Sequence, residues 1–395
     1  MPWKERSVVE QRSAFIRAYL RGEQSFSALC RYFEISRPTG YKWLGRFSEE
    51  GEAGLIDQSR APFQQAKGTP PAQLAQILDL RHQHPTWGPK KLLAFLEHKH
   101  PTLPWPAAST IGDIIRREGL SHPRRKRLRN TAHEQPLAHA HQPNDVWCAD
   151  FKGWFLCRNG ERCDPLTITD AHSRFLIRCQ SVPKADGPHV RAIFLDAFRE
   201  FGLPRSIRTD NGPPFSSVGL AGLSRLSAWW IQLGILPERI APGEPQQNGR
   251  HERFHLTLKN DTASPPHSSL RRQQAAFQSF RQTYNHARPH EALAQKTPAS
   301  FYAPSPRSLP EHPTALLYGF EHIKRPVSPA GHISWHSHQI HISVMLEGHL
   351  IAIRELDNFL AEVHFGPILL GWIDIPSYTF HPVKNLPRGW RNHKL

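Results

Sequence analysis

Cysteine is scarce in this chain, and acidic residues are outnumbered. Only five cysteines occur in 395 residues, Cys30, Cys148, Cys157, Cys163 and Cys179. Their number is odd and no CxxC pair faces a matching His or Cys pair downstream, which argues against a disulfide framework or a structural zinc site. No stretch approaches the roughly 18 consecutive apolar residues of a membrane span, and MPWKERSVVEQ at the start has no apolar signal-peptide core. A soluble, cytoplasmic protein without a membrane partner is therefore expected. Asp and Glu number 34 against 50 Lys and Arg, for a net charge of +16 with His neutral. That shortage of acid points to a polyanionic partner, and nucleic acid leads. The 25 histidines are scattered and read as solvated or hydrogen-bonded side chains rather than metal ligands.

What is present divides along the chain, as a length beyond one usual core demands. Residues 1–60 read as a helix-turn-helix domain. Phe15, Ile16, Tyr19 and Leu20 recur at helical spacing, with Gly22 where a C-cap would sit. Ser27 is placed as the cap of a second helix carrying Leu29 and Phe33, and Ser36 as the cap of a third that reaches Phe47. This last helix would present Arg37, Thr39, Lys42 and Arg46 to base edges and phosphates. A polar break precedes a second helix-turn-helix-like domain, 68–122, with helices over 72–84, 89–98 and 108–118. In its third helix, with Ser109 as cap, Ile111, Ile114 and Ile115 turn inward while Thr110, Asp113, Arg116 and Arg117 turn outward. Residues 123–140 form a basic linker in which Arg124, Arg125, Lys126 and Arg127 are candidate phosphate contacts.

Residues 141–303 alternate strand-like and helix-like signals in the order β-β-β-α-β, then further helices, which means a mixed sheet covered by helices. Within it, 188–201 is an amphipathic helix with Val190, Ile193, Phe194, Ala197 and Phe198 on one stripe. Short alternations between glycines over 315–378 predict a small all-β barrel, and 379–395 is a basic tail.

Transfer of a phosphodiester needs an activated hydroxyl, in-line geometry and neutralisation of charge on the attacking and leaving oxygens. Two Mg²⁺ ions meet all three needs and ask the protein for only two or three carboxylates, because magnesium keeps waters and substrate phosphates as its other ligands. Asp150 lies inside a strand signal, where a carboxylate is costly to bury unless paired or metal-bound. Asp210 ends the short strand SIRTD and precedes an Asn-Gly turn. Glu252 sits in a helical segment on which Asn248, Glu252, His255 and Lys259 share one face and Phe254 and Leu258 another. Asp170 is a further carboxylate near a strand end, better suited to a hairpin turn. Lys152, Asn248, Arg253 and Lys259 are candidates for holding phosphates.

Three motifs tie these residues together: N-x-x-W-x-x-D-x-K from Asn144 to Lys152, T-D-N-G-x-x-F from Thr209 to Phe215, and P-x-x-x-x-x-N-G-x-x-E-R-x-H-x-x-L-K from Pro242 to Lys259. As a set they resemble the integrase catalytic core of DDE transposases from insertion sequences of the IS3 and IS481 type, and Tyr284-Asn285, Arg288-Pro289-His290 and Thr297-Pro298 resemble the segment that follows it. The resemblance implies a ribonuclease-H-like fold and Asp150, Asp210 and Glu252 as ligands of two Mg²⁺ or Mn²⁺ ions. It implies multimers, at least dimers, on double-stranded transposon-end and target DNA, with 3′-end cleavage and strand transfer. Here 41 residues separate Asp210 from Glu252, more than the family's usual interval, and Glu244 is the rival third ligand. A catalytically inactive DNA-binding regulator is the alternative function.

Overall fold

Serine side chains start the first three helices. The computed structural model describes residues 7–58, 68–121, 137, 139–217, 219–240, 249–312 and 315–383, and the chain forms two compact units, Met1–Thr69 and Pro70–Leu395. In the first unit, α1 (Val8–Arg21) opens on a reciprocal capping box. The Glu10 N–H donates to Ser7 Oγ and the Ser7 N–H to the Glu10 carboxylate, and the helix ends on Gly22 at φ 69°. Ser36 caps α3 (Arg37–Glu50) as expected. The expected cap of α2 (Phe26–Tyr32) is corrected: Ser25, not Ser27, accepts the Ala28 N–H. Phe26 sets that start, because its ring stacks on Tyr41 at 4.1 Å and meets Phe15 edge-on. The three helices enclose Phe15, Ile16, Leu29, Cys30, Trp43 and Leu55. They cross closely at Gly40, where a Cβ would stand 2.8 Å from Cys30 Sγ.

In the second unit, α4 (Pro71–Gln83), α5 (Pro89–Lys99) and α6 (Ala108–Arg117) surround Ile77, Trp87, Leu92 and Leu96, with Ile111, Ile114 and Ile115 turned inward as read from the sequence. Ser109 is not a cap. Ala107 holds that position with no side-chain hydrogen bond, so burial of the three isoleucines, rather than a cap, defines where α6 starts.

A mixed five-stranded sheet follows, built from β1 (Val146–Phe151), β4 (Pro165–Asp170), β5 (Leu176–Ser181), β6 (Ser206–Thr209) and β7 (Leu236–Arg239). The ribbon β2 (Phe155–Leu156) and β3 (Arg162–Cys163) is inserted after β1, and the sheet order is β5-β4-β1-β6-β7. β1 pairs antiparallel with β4, and β4 with β5, whereas β1, β6 and β7 run parallel. This is the ribonuclease-H-like arrangement. Trp147, Ala149, Ile168 and Ile207 bury one face against Val190, Phe194 and Phe198 of α7 (Gly187–Phe201) and Trp229 and Trp230 of α8 (Arg225–Gln232). On the opposite side, Leu176 and Cys179 pack with Phe254 and Leu258 of α9 (Gly249–Thr262) and Phe277 and Phe280 of α10 (Leu270–Gln282).

The C-terminal part is all-β, but the expected barrel does not close. β8 (Ile323–Pro326), β11 (Leu350–Glu355), β12 (Leu360–Phe365), β13 (Ile368–Asp374) and β14 (Thr379–Pro382) form an open antiparallel sheet in the order β14-β13-β12-β11-β8, and β9 (His332–Trp335) and β10 (His338–His341) form a separate hairpin. Both edge strands finish on proline, Pro326 and Pro382, which cannot donate to a further ladder. The hairpin's Ile333, Trp335 and Ile340 instead cover one sheet face, and Leu223, Ala228 and Ile231 from the α8 region complete that core.

Candidate active site

Strand alternation decides which way Asp150 points. Along β1, Trp147 and Ala149 enter the core beneath α7 and α8, so Cys148 and Asp150 face the opposite side, toward α9. The parallel β1–β6 register aligns Val146 with Ser206, Trp147 with Ile207 and Cys148 with Arg208. Asp150 and Asp210 each lie two residues beyond the Cys148–Arg208 pair, Asp150 still in β1 and Asp210 just past the end of β6, so both stand at the same end of adjacent parallel strands. Both side chains are half-buried. At the end of β6 the Gly212 N–H donates to Asp210 Oδ1 at 3.2 Å, and Asn211 Nδ2 donates to the Ile240 carbonyl at 2.9 Å. A Cβ on Gly212 would lie 3.1 Å from Asp210 Oδ2, so a side chain there would press on the carboxylate.

A feature that sequence reasoning missed holds α9 over this face. Thr167 is the direct cross-strand partner of Asp150, and its Oγ1 lies 2.8 Å from both His251 Nε2 and His255 Nε2 and 3.1 Å from the Asp150 carbonyl. One hydroxyl has one proton and two lone pairs. The arrangement is satisfied when Thr167 donates to the Asp150 carbonyl and both imidazoles, as Nε2–H tautomers, donate to Thr167. The histidines are kept neutral: burial, reinforced by His255, holds His251 well below its usual range, and burial, with Lys152 second, brings His255 down to about 4. The i, i+4 spacing of His251 and His255 was visible in the sequence, but the threonine that unites them lies 84 residues before the first.

Glu252 follows His251 in the first turn of α9 and is exposed; Arg253 and Lys259 are exposed too, while Phe254 and Leu258 are buried as predicted. Among the described residues, no three His, Cys, Asp or Glu side chains stand together as a metal-holding group. Asp150 and Asp210 thus lie at the same end of adjacent strands, and among the described residues Glu252 does not join them in one ligand cluster. Asn248 and the rival Glu244 lie outside the described residues, as do Arg124, Arg125, Lys126 and Arg127. Lys152, its ammonium over the Phe155 ring, loses basicity to burial first and to Lys259 second.

Asp170 has a structural role. It is fully buried, with Oδ1 accepting the Asn144 N–H and Oδ2 accepting the Ser173 N–H and hydroxyl at the β4–β5 turn. Asn144, at φ 66°, also accepts from Trp147 Nε1 and Tyr302 Oη. Cys148 and Tyr284 line a small cavity under α9 with Asp170. Burial pushes both the thiol and the phenol up to about 12, which leaves neither as an ionised nucleophile near neutrality.

On α3, Arg37 and Lys42 are exposed, Arg46 is half-buried near the Trp43 ring, and the Thr39 hydroxyl is engaged by Ser36 Oγ at 2.8 Å. On α6, Thr110, Arg116 and Arg117 are exposed, and Arg116 pairs with Asp113 at 2.6 Å.

Family models described as integrase core domain match residues 140–245 and 233–298, one described as helix-turn-helix domain matches 11–63, and one described as homeodomain-like domain matches 39–115. An uncharacterized 39.2 kDa protein of insertion element IS476 from Xanthomonas euvesicatoria is 29% identical over 260 residues, covering 65% of this chain and 72% of that protein. An uncharacterized 31.7 kDa protein of insertion element IS407 from Burkholderia multivorans is 29% identical, covering 58% and 80%. The transposase InsD of insertion element IS2 from Escherichia coli is 28% identical, covering 55% and 73%.

Proposed function

We propose, on the premise that this chain is a DDE-type transposase of the IS3-type family, that Asp150, Asp210 and Glu252 are its catalytic carboxylates. The observation that supports this most strongly is the parallel β1–β6 pairing, whose last pair, Cys148 with Arg208, leaves Asp150 and Asp210 each two residues further on at the same end of adjacent strands. Two oxygen-only donors on adjacent strands suit a hard divalent cation, which takes one or two carboxylates and fills its shell with water and phosphate. Asp150 and Asp210 would hold two Mg²⁺ or Mn²⁺ ions, with Glu252, which stands exposed in the first turn of α9 and apart from them here, as the third ligand once it turns in to the ions. Such ions supply Lewis acidity and charge neutralisation at the attacking and leaving oxygens.

The chain's own residues bind and align the DNA. Lys152, Lys259, Arg253 and Asn248 engage phosphates next to the acids, and an anion lodged between Lys152 and Lys259 relieves their repulsion. Arg37, Thr39, Lys42 and Arg46 bind double-stranded element ends through the first helix-turn-helix domain. Thr110, Arg116 and Arg117 act through the second, and Arg124, Arg125, Lys126 and Arg127 add phosphate contacts. Symmetric joining of two ends to target DNA requires at least a dimer, working in the bacterial cytoplasm on the nucleoid. The products are 3′-end cleavage and strand transfer.

The test is cleavage of a labelled element-end duplex. Wild-type protein with Mg²⁺ should release the 3′ strand end, EDTA should stop it, and Asp210→Asn should bind the duplex with unchanged affinity without cutting. Cleavage by Asp210→Asn at the wild-type rate would refute the assignment and favour a different site. Binding by wild type without any cleavage would favour the inactive regulator.

A further inference from the structure

We infer that the ribbon β2–β3 carries a base-stacking platform, Trp154 with Arg162, that holds an unpaired nucleobase of the DNA strand engaged at Asp150 and Asp210. The inference rests on the proposed active site and adds a contact to it. Trp154 is 58% exposed although it is among the largest apolar side chains in the protein. The Arg162 guanidinium lies 4.8 Å from the centre of its ring. Arg162 is itself tethered, its Nη2 3.2 Å from Asp164 Oδ2, and the Asp164 side chain is only 10% exposed. Asp164, Arg162 and Trp154 therefore form a connected series that starts in the interior and ends at solvent.

The ribbon beneath is rigid. Cys157 and Cys163 are buried with Phe254, Leu258 and Phe277 of α9 and α10. The Arg158 N–H donates to the His267 carbonyl, and Glu161 Oε2 accepts the Leu270 N–H. Leu156, opposite Arg162 in the ribbon register, is also exposed at 52%. A flat indole with a cation over it, held in position and left open to solvent, is what stacking on a nucleobase requires, because every base has a π-face and Arg adds charge toward the polyanion.

Position selects the base. Trp154 follows Asp150 by four residues, a reach of at most about 14 Å, or up to about four nucleotides at about 3.4 Å each. Lys152 lies between them in sequence. Inside a duplex both π-faces are covered by neighbouring pairs, and a blunt end offers one face of a paired base, so the platform favours a base that has left the stack, such as one at a cleaved or frayed end.

The experiment compares full-length protein binding to two duplexes of equal length and sequence. One is blunt, and the other ends in a two-nucleotide unpaired overhang containing 2-aminopurine. Wild type should favour the overhang duplex and quench the 2-aminopurine. Trp154→Ala should lose the quench and weaken overhang binding about tenfold, the scale of one base–aromatic stack, with blunt binding unchanged. Trp154→Phe should retain most of the preference. An undiminished preference and quench in Trp154→Ala would overturn the inference. So would an equal loss of blunt binding, which would mark Trp154 as a folding or general-grip residue. Asp210→Asn keeps the overhang preference on this account, so failure of the catalytic assignment reads out in cleavage and failure of the platform in quenching.

Discussion

Thr167 shows how much one hydroxyl can organise. It joins two histidines of α9 to the strand carrying Asp150, and removing it leaves two imidazole N–H groups and one carbonyl without that partner. Thr167→Val should therefore cost about 1–3 kcal/mol and lower the melting temperature, with loss of cleavage through misplacement of α9. The histidines add a pH signature whose sign is fixed. Their folded pKa values lie below the ordinary 6.5, His255 at about 4, so below pH 6.5 the unfolded chain binds protons that the folded chain refuses. Stability falls as pH drops from about 6.5 toward 4, by up to about 1.4 kcal/mol per pH unit for each group. Above 6.5 the effect is absent. Thermal melting from pH 7.5 to 4.5 should show a shallower decline in His255→Gln than in wild type, and parallel curves for the two proteins would contradict the neutral-imidazole account.

At the scale of elements, helix starts separate what was legible from what was not. Ser36 and Gly22 were read correctly because cap chemistry is local. Ser25 and Ser27 offer the same chemistry two residues apart, and the choice was made by the Phe26 ring packing on Phe15 and Tyr41, which local sequence does not report. Ser25→Ala should cost about 1 kcal/mol, seen as reduced hydrogen-exchange protection across α2, whereas Ser27→Ala should leave it unchanged. Equal effects would place the cap wrongly. The amphipathic stripe of α7 and the buried Phe254 and Leu258 of α9 were legible because burial repeats every three to four residues, but His255, grouped by spacing with exposed Glu252 and Lys259, turns inward with His251 onto Thr167. The parallel pairing of β1 with β6, which brings Asp150 and Asp210 to the same end of adjacent strands, was not legible, since a strand's partner and register are tertiary choices. The barrel expectation failed for a similar reason: alternation gives strands and their faces, and closure depends on which edges meet.

For the whole molecule, the net charge of +16 gains meaning from its distribution. Basic side chains project from α3 and α6, and Lys152 and Lys259 lie near enough to repel one another, so DNA binding should fall steeply with salt. Each phosphate contact contributes about 0.9 to the slope of log affinity against log salt. Lys42→Ala and Lys259→Ala should each lower that slope by about one, and an unchanged slope in either would remove that residue from the interface. No helix among the described residues is long and apolar enough to cross a membrane. The described C-terminal sheet shares its core with Leu223, Ala228 and Ile231, so the β region and the catalytic core are coupled mechanically as well as by sequence.

The central claim is that Asp150, Asp210 and Glu252 act together. Its most direct test is a strand-transfer assay with Mg²⁺, element-end DNA and target DNA, run in parallel on wild type, Asp150→Asn, Asp210→Asn, Glu252→Gln and Glu244→Gln. The account predicts joined product from wild type and Glu244→Gln and none from the other three, all five binding the ends equally. Joining by Asp150→Asn or Asp210→Asn would contradict it outright, and joining by Glu252→Gln with none from Glu244→Gln would move the third ligand to the segment before α9.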